Sequence, residues 1–198
     1  VRRYRPLPRR FFARSAIDVA RALIGTLLVH ETAAGVRVGR IVETEAYCGA
    51  DDPASHAFRR TARSEIMYGR PGVAYVYFSY GMHWCLNVVT DADGTAGAVL
   101  LRAVEPVEGA SLMRRGAAPS DAPRLASGPG RLTRAMGVTG RHNGTDLTGG
   151  ALYVAAGGRR RGAVVTGPRV GISRAADRPW RFGLAGSPAL SRPFRAAL

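Results

Sequence analysis

The chain of 198 residues contains no lysine, so its 29 basic residues are all arginine. No side chain can form a Schiff base with an aldehyde. A Walker-type phosphate loop, which needs its lysine, is excluded as well. The only amine is the terminal one. Cysteine is nearly as scarce. Cys48 and Cys85 cannot build a disulfide framework. Their spacings to His56 and His83 match no standard zinc pattern, so no metal is expected and both read as buried thiols. No apolar run approaches the ~20 residues of a membrane span. The arginine-rich start has the charge of a signal peptide's first part but lacks the apolar stretch that must follow. These absences describe a soluble, intracellular protein, expected in the cytoplasm with no membrane partner.

What is present is positive charge. A GC-rich genome accounts for arginine in place of lysine, but not for 29 basic against 14 acidic residues. That excess favours a polyanionic partner, most often nucleic acid.

The most informative stretch runs from Pro71 to Asn87. Tyr75, Tyr77, Phe78, Tyr80 and Trp84 crowd into it, in a chain with seven Tyr, six Phe and two Trp. With a period of two, Val73, Tyr75 and Tyr77 face one way and Val76, Phe78 and Tyr80 the other. Tyr80-Gly81 divides this run from Met82–Val89, which predicts a β-hairpin with an aromatic at its tip. A core needs no tyrosine at a turn. A wedge pushed between stacked bases does.

Elsewhere, Ser15 and Asp18 cap an amphipathic helix over 17–24 that stops at Gly25. Residues 26–31 and 36–47 alternate as strands joined at Ala33-Ala34-Gly35. Residues 51–70 are polar and irregular. Ala98–Val104 reads as a buried strand, 107–126 as a helix and a Pro/Ala-rich loop, and 131–136 as a short helix after Ser127-Gly-Pro-Gly130. Residues 137–150 are turn-rich. Residues 151–156 and 163–172 pair around Gly157–Gly162, whose Arg159–Arg161 run reads as a solvated turn, with DNA contact the lesser reading. There is no repeat and no dividing linker. The pattern lacks βαβ units, so a single α+β domain over 1–198 is expected, built on antiparallel strands.

Several residues could carry chemistry. Glu43, Glu45 and Tyr47 share one face of a strand, either a solvated edge or a carboxylate poised as a general base. Arg102 interrupts an apolar strand and needs a partner, structural or catalytic. His56 lies in a polar loop and reads by itself as a surface or capping residue. Asn87 ends an apolar strand, as a satisfied core amide or a reader of a ligand edge.

Taken in order, these segments resemble the alkyladenine (3-methyladenine) DNA glycosylase family, the monofunctional type acting on alkylated and deaminated purines. The matching pieces are Phe11-Phe12, Leu23–Val29, Val42-Glu-Thr-Glu-Ala-Tyr47, His56, Met67, Pro71-Gly72, Tyr75-Val-Tyr77 and Tyr80-Gly-Met82. They continue with Cys85-Leu-Asn87, Leu100-Leu-Arg102-Ala, Glu105-Pro106, Ser127-Gly-Pro129, Arg169-Val-Gly171 and Gly186-Ser-Pro188. Each is weak, but the ordered set is specific and covers nearly the whole chain.

The resemblance implies an α+β fold around a curved antiparallel sheet, with flanking helices and a protruding hairpin. It implies no cofactor, and double-stranded DNA with damaged purines as the partner of a monomer. Glu45 would activate water, held with the help of Arg102 and the main-chain carbonyl of Val170. Tyr47 and Tyr77 would sandwich the flipped base, with His56 at its edge. Asn87 would reject guanine and Leu100 would floor the pocket. Tyr80 would fill the gap in the duplex, with Met82, Arg63 and Met67 in contact with DNA. Many relatives have Asn where Ser64 stands, and His83-Trp84 also varies.

Two rival readings remain at this point. One is a non-enzymatic nucleic-acid-binding domain, such as the related fold at the C-terminus of methionyl-tRNA formyltransferase. The other is a small-molecule nucleoside hydrolase. The first needs neither Glu45, Arg102 nor an aromatic pocket; the second needs neither the charge nor a wedge.

Overall fold

The local signals become eight strands and four helices in the computed structural model, which describes residues 3–114, 124–158 and 162–194. The strands are β1 Leu27–Thr32, β2 Gly35–Tyr47, β3 Ala74–Ser79, β4 His83–Val89, β5 Ala98–Glu108, β6 Leu152–Ala155, β7 Val164–Gly167 and β8 Arg181–Leu184. The helices are α1 Arg9–Phe12, α2 Ala16–Leu23, α3 Ala110–Met113 and α4 Pro129–Met136. The sheet is antiparallel and curled, in the order β3-β4-β5-β2-β1-β6, with β7 and β8 continuing from β2.

Strand β2 is the hub. Its first half pairs with β1 and its second half, at Glu43–Glu45, with β8. Along its other edge it runs beside β5, where the register slips three times, between Val38 and Gly39, between Ile41 and Glu43 and between Glu43 and Thr44. The last slip leaves Arg102 without a direct partner on β2. Irregularities of this kind re-aim a side chain, and here the residue is an arginine.

The pleat sorts the sheet into two faces. Val42, Ala46, Val76, Leu86, Val88, Val99, Leu101 and Ala103 belong to the main core, with α2 and α4 packed against the same strands. Ser15 caps α2 by accepting from the Asp18 amide at 3.1 Å, and Gly25 lies beyond its end at φ 93°, a conformation glycine adopts without strain. The other face carries Glu43, Glu45, Leu100, Asn87, Tyr75 and Tyr77.

Most expected elements are present, with changed ends. The strand over 98–104 extends to Glu108, and the one over 163–172 shortens to four residues. β8 was not foreseen; four residues including a glycine are too short to show a period. Residues 49–70 contain three single-turn 3₁₀ segments, Gly49–Asp51, His56–Phe58 and Glu65–Tyr68. Residues 115–123 of the expected helix and loop, and the Arg159–Arg161 run, lie outside the described residues. Among the described residues no helix is long and apolar enough to cross a membrane.

Candidate active site

One transverse row of the sheet builds the floor of a pocket. Glu45 on β2 lies opposite Leu100 on β5, Leu100 opposite Asn87 on β4, and Asn87 opposite Tyr75 on β3. Residues far apart in sequence thus come into register, on the face away from the helices. Leu100, Asn87 and Tyr75 line a cavity of about 500 Å³ together with Tyr47, His56, Arg63, Met67, Tyr77 and Arg102, and Glu45 lies behind it, bonded to Tyr47 and Arg102.

The alternative of a solvated edge face for Glu43, Glu45 and Tyr47 is overturned. Both glutamates are fully buried, because β5 and β8 flank β2 there. Glu45 Oε2 accepts from the Tyr47 hydroxyl at 2.9 Å and from Arg102 Nη1 at 3.3 Å, and Oε1 from the Val170 amide at 2.7 Å. Burial raises its pKa, opposed by Arg102, the Val170 N–H and the Tyr47 hydroxyl. A carboxylate so placed is fixed in orientation and easier to protonate than one in water.

Arg102 joins both carboxylates. Its Nε donates to Glu43 Oε1 at 3.1 Å and its Nη2 to the Ser191 hydroxyl at 3.0 Å. Burial works against its charge, but Glu45 and Glu43 outweigh it and raise its pKa. Arg181 Nη1 reaches Glu43 at 3.0 Å, and the Ser191 amide and hydroxyl complete that carboxylate at 2.5 and 2.8 Å. Two carboxylates thus face two guanidiniums. Breaking such a buried set by removing one member costs more than an exposed pair could return. Sequence reading singled out neither Arg181 nor Ser191, which lie in short or irregular segments with no periodic signal.

Tyr77 and Tyr47 line the cavity, and burial pushes both hydroxyls well above the usual tyrosine range. His56 is exposed at the mouth, its ring edge-on to Tyr77 at 4.7 Å between centroids and its Nδ1 2.8 Å from the Tyr75 hydroxyl. Packing of the ring, with Arg63 nearby, brings its pKa down to about 4, so it is neutral at pH 7. Arg63 lies over Tyr77 at 4.8 Å and donates to Tyr75 at 3.3 Å. Asn87 is buried and donates through Nδ2 to the Tyr75 carbonyl at 3.1 Å.

One placement differs from expectation. Met67, expected at the DNA surface, is 2 % exposed and packs with Tyr75, Val89 and Ala98 behind the pocket. Val170 meets Glu45 through its amide, at 2.7 Å. Ser64 is buried, its hydroxyl bonded within the 59–64 turn, to the Arg59 carbonyl at 3.1 Å and the Thr61 amide at 2.9 Å. Of the two cysteines, Cys85 is buried and Cys48 half-buried.

The hairpin projects beside this pocket. Tyr80 is 84 % exposed at its tip and Met82 73 %. Tyr80 at φ 49° and Gly81 at φ 66° make the turn, closed by the Met82 amide on the Ser79 carbonyl at 3.0 Å. Positive φ at both central residues matches the twist of the flanking strands, and a tyrosine there is an unusual choice. The hairpin's outer side is braced. Gly130 and Gly140 let the backbone pack on His83 and Trp84 where a Cβ would lie within 2.6 and 2.5 Å of their rings.

A buried carboxylate, an aromatic pocket and an exposed tyrosine at a hairpin tip thus lie on one side of the sheet. The methylpurine-DNA glycosylase family model matches residues 10–188. A protein named "Putative 3-methyladenine DNA glycosylase" from Rhodopseudomonas palustris strain HaA2 is 51 % identical over 193 residues, covering 96 % of this chain and 92 % of its own. One of the same name from Nitrosospira multiformis is 52 % identical over 186 residues, covering 93 % of each chain. The chain belongs to the methylpurine-DNA glycosylase family and is a DNA glycosylase of DNA repair.

Proposed function

We propose that this protein flips alkylated or deaminated purines out of duplex DNA and hydrolyses their N-glycosidic bond with a water activated by Glu45, leaving an intact abasic site. The relatives' names point to 3-methyladenine; hypoxanthine and ethenoadenine are the further substrates of this reading. The observation that supports it most is Glu45 itself, fully buried and held by Tyr47, Arg102 and Val170, three residues that line an aromatic cavity.

The flipped base stacks between Tyr47 and Tyr77, with His56 and Arg63 at its edge, Leu100 beneath and Met67 behind. Stacking returns roughly 1–3 kcal/mol per base, against a flipping cost of a few kcal/mol. Tyr80 fills the vacated position and Met82 rests beside it. Arg102 keeps Glu45 ionised, so the carboxylate can take a proton from water as the C–N bond breaks. The Val170 carbonyl is the second hold on that water. Asn87 crowds the edge where guanine carries its 2-amino group. The arginine excess supplies phosphate contacts. A non-enzymatic binder has no use for a buried, triply held carboxylate.

Glu45→Gln tests the reading. It should slow single-turnover base release by ~10²–10⁴-fold and leave lesion binding intact, since the pocket keeps its shape. A rate close to wild type removes Glu45 as the base. Borohydride should trap no covalent DNA adduct, because no lysine is available. An adduct formed at the turnover rate would show the terminal amine acting as nucleophile.

A further inference from the structure

The Arg169 side chain is fully buried beside the site, and no step of the proposed reaction uses it. Its Nη1 donates to Asp52 Oδ2 at 2.5 Å and to the Ala46 carbonyl at 2.9 Å, and its Nη2 to Asp52 Oδ1 at 2.8 Å. The guanidinium lies 4.7 Å from the Tyr47 ring centroid and 5.0 Å from that of Trp180. Asp52 is filled from its other side by the amides of Cys48 and Ala54, each at 3.2 Å. One side chain thus ties three pieces together: the end of β2 just past Glu45, the 48–54 turn, and the loop from Pro168 to Trp180.

The next residue, Val170, sends its amide to Glu45. A buried ion pair by itself is a poor investment in stability, since desolvation offsets most of the attraction. What this one supplies is position. We infer that Arg169, clamped by Asp52, is a positioning residue for base excision, which holds the Val170 N–H on Glu45 and the Tyr47 ring in its stacking plane. The inference rests on the reading of Glu45 as the base.

Lysine could not replace it. The fork to Asp52, the further bond to Ala46 and the flat face between two rings all need a guanidinium. Glu45 is faced by Arg102 from β5, Tyr47 and Glu43 from β2, Cys85 from β4, and Val170 and the Arg169 guanidinium from the loop. Letting the loop drift removes the one main-chain donor among them and raises the carboxyl's pKa further. Asp52 titrates below this range. Burial works against its charge, but the bonds from Arg169 outweigh it and lower its pKa, so its contribution is present above roughly 3.9 and lost only as pH falls beyond that.

The test compares Arg169→Lys and Asp52→Asn with Val154→Ala, a core change on the distant β6. Both clamp variants should cut single-turnover excision of 3-methyladenine by on the order of 10- to 100-fold. Both should move the acid limb of the pH–rate profile to higher pH. Val154→Ala, at an equal or larger loss of melting temperature, should keep the wild-type rate and limb. In a Glu45→Gln background, Arg169→Lys should cost clearly less than in the wild type, because the Val170 arm acts through Glu45 and only the hold on Tyr47 is left to lose. A wild-type limb in both clamp variants overturns the inference, as does an undiminished penalty in that background, or a rate loss that Val154→Ala reproduces. Glu45→Gln at the wild-type rate would overturn the base reading and this inference together. Asp52→Asn, which preserves shape, decides the matter if Arg169→Lys does not fold.

Discussion

The two faces of the β2–β5–β4–β3 sheet are made from alternate residues of the same strands, and they have opposite chemistry. Val42, Ala46, Leu101, Val99, Val88, Leu86 and Val76 form an apolar face under α2 and α4. Glu43, Glu45, Arg102, Asn87, Tyr75 and Tyr77 form a charged and aromatic face around a cavity. The first removes apolar area from water at ~25 cal/mol per Å² and secures the fold. The second buries charge and keeps an open pocket, neither of which favours folding. The enzyme can hold an unfavourable face rigid because each strand is clamped through its favourable one.

The sharpest break of this comparison sets Leu101 against Glu45. Leu101→Ala should cost about 2–5 kcal/mol of stability, read from denaturant or thermal unfolding, and leave the rate per folded molecule unchanged. Glu45→Gln should lower that rate by ~10²–10⁴-fold, at some cost in stability because Arg102 loses one of its two carboxylates. If both changes lowered rate and stability together, the faces would not be separable.

Tyr80→Ala belongs to neither face. It should reduce excision by roughly 10- to 100-fold, the worth of one lost stacking contact, with melting temperature almost unmoved because the ring is exposed. A large fall in melting temperature would place Tyr80 in the packing. The smallest effect is expected at Asn87. Replacing it by Ser should raise guanine excision relative to hypoxanthine by about tenfold, as one small-group clash is worth ~1–3 kcal/mol. Asn87 also donates to the Tyr75 carbonyl, so some stability should be lost. A proportional loss on both bases would leave it a purely structural amide.

Much of this was legible in one dimension. Period two in 73–89, broken at Tyr80-Gly81, is the hairpin, because alternation and turn chemistry are local properties. The capped α2 and the strands around residues 27–47 are local in the same way. The Val42–Tyr47 stretch marked Glu45 and Tyr47, but periodicity alone left them as readily on a wet edge as in a core. Arg102 was marked by its misfit in an apolar run, though not for what it touches. Arg181, Ser191, Asp52 and β8 left no signal, since each lies in a segment too short or irregular to show a period.

By itself, then, the amino-acid sequence determined the hairpin and its aromatic tip, the polyanion-seeking charge and the exclusion of lysine chemistry. Composition and short-range pattern carry these without any folding. Only the tertiary structure decided that Glu45 is buried, that Arg102 lies between two carboxylates, and that Glu45, Leu100, Asn87 and Tyr75 form one row. It also decided that Met67 belongs behind the pocket and that the Val170 amide faces Glu45. Register across four strands, and the loop that closes over them, depend on contacts between residues as much as 125 positions apart, for which no local pattern exists.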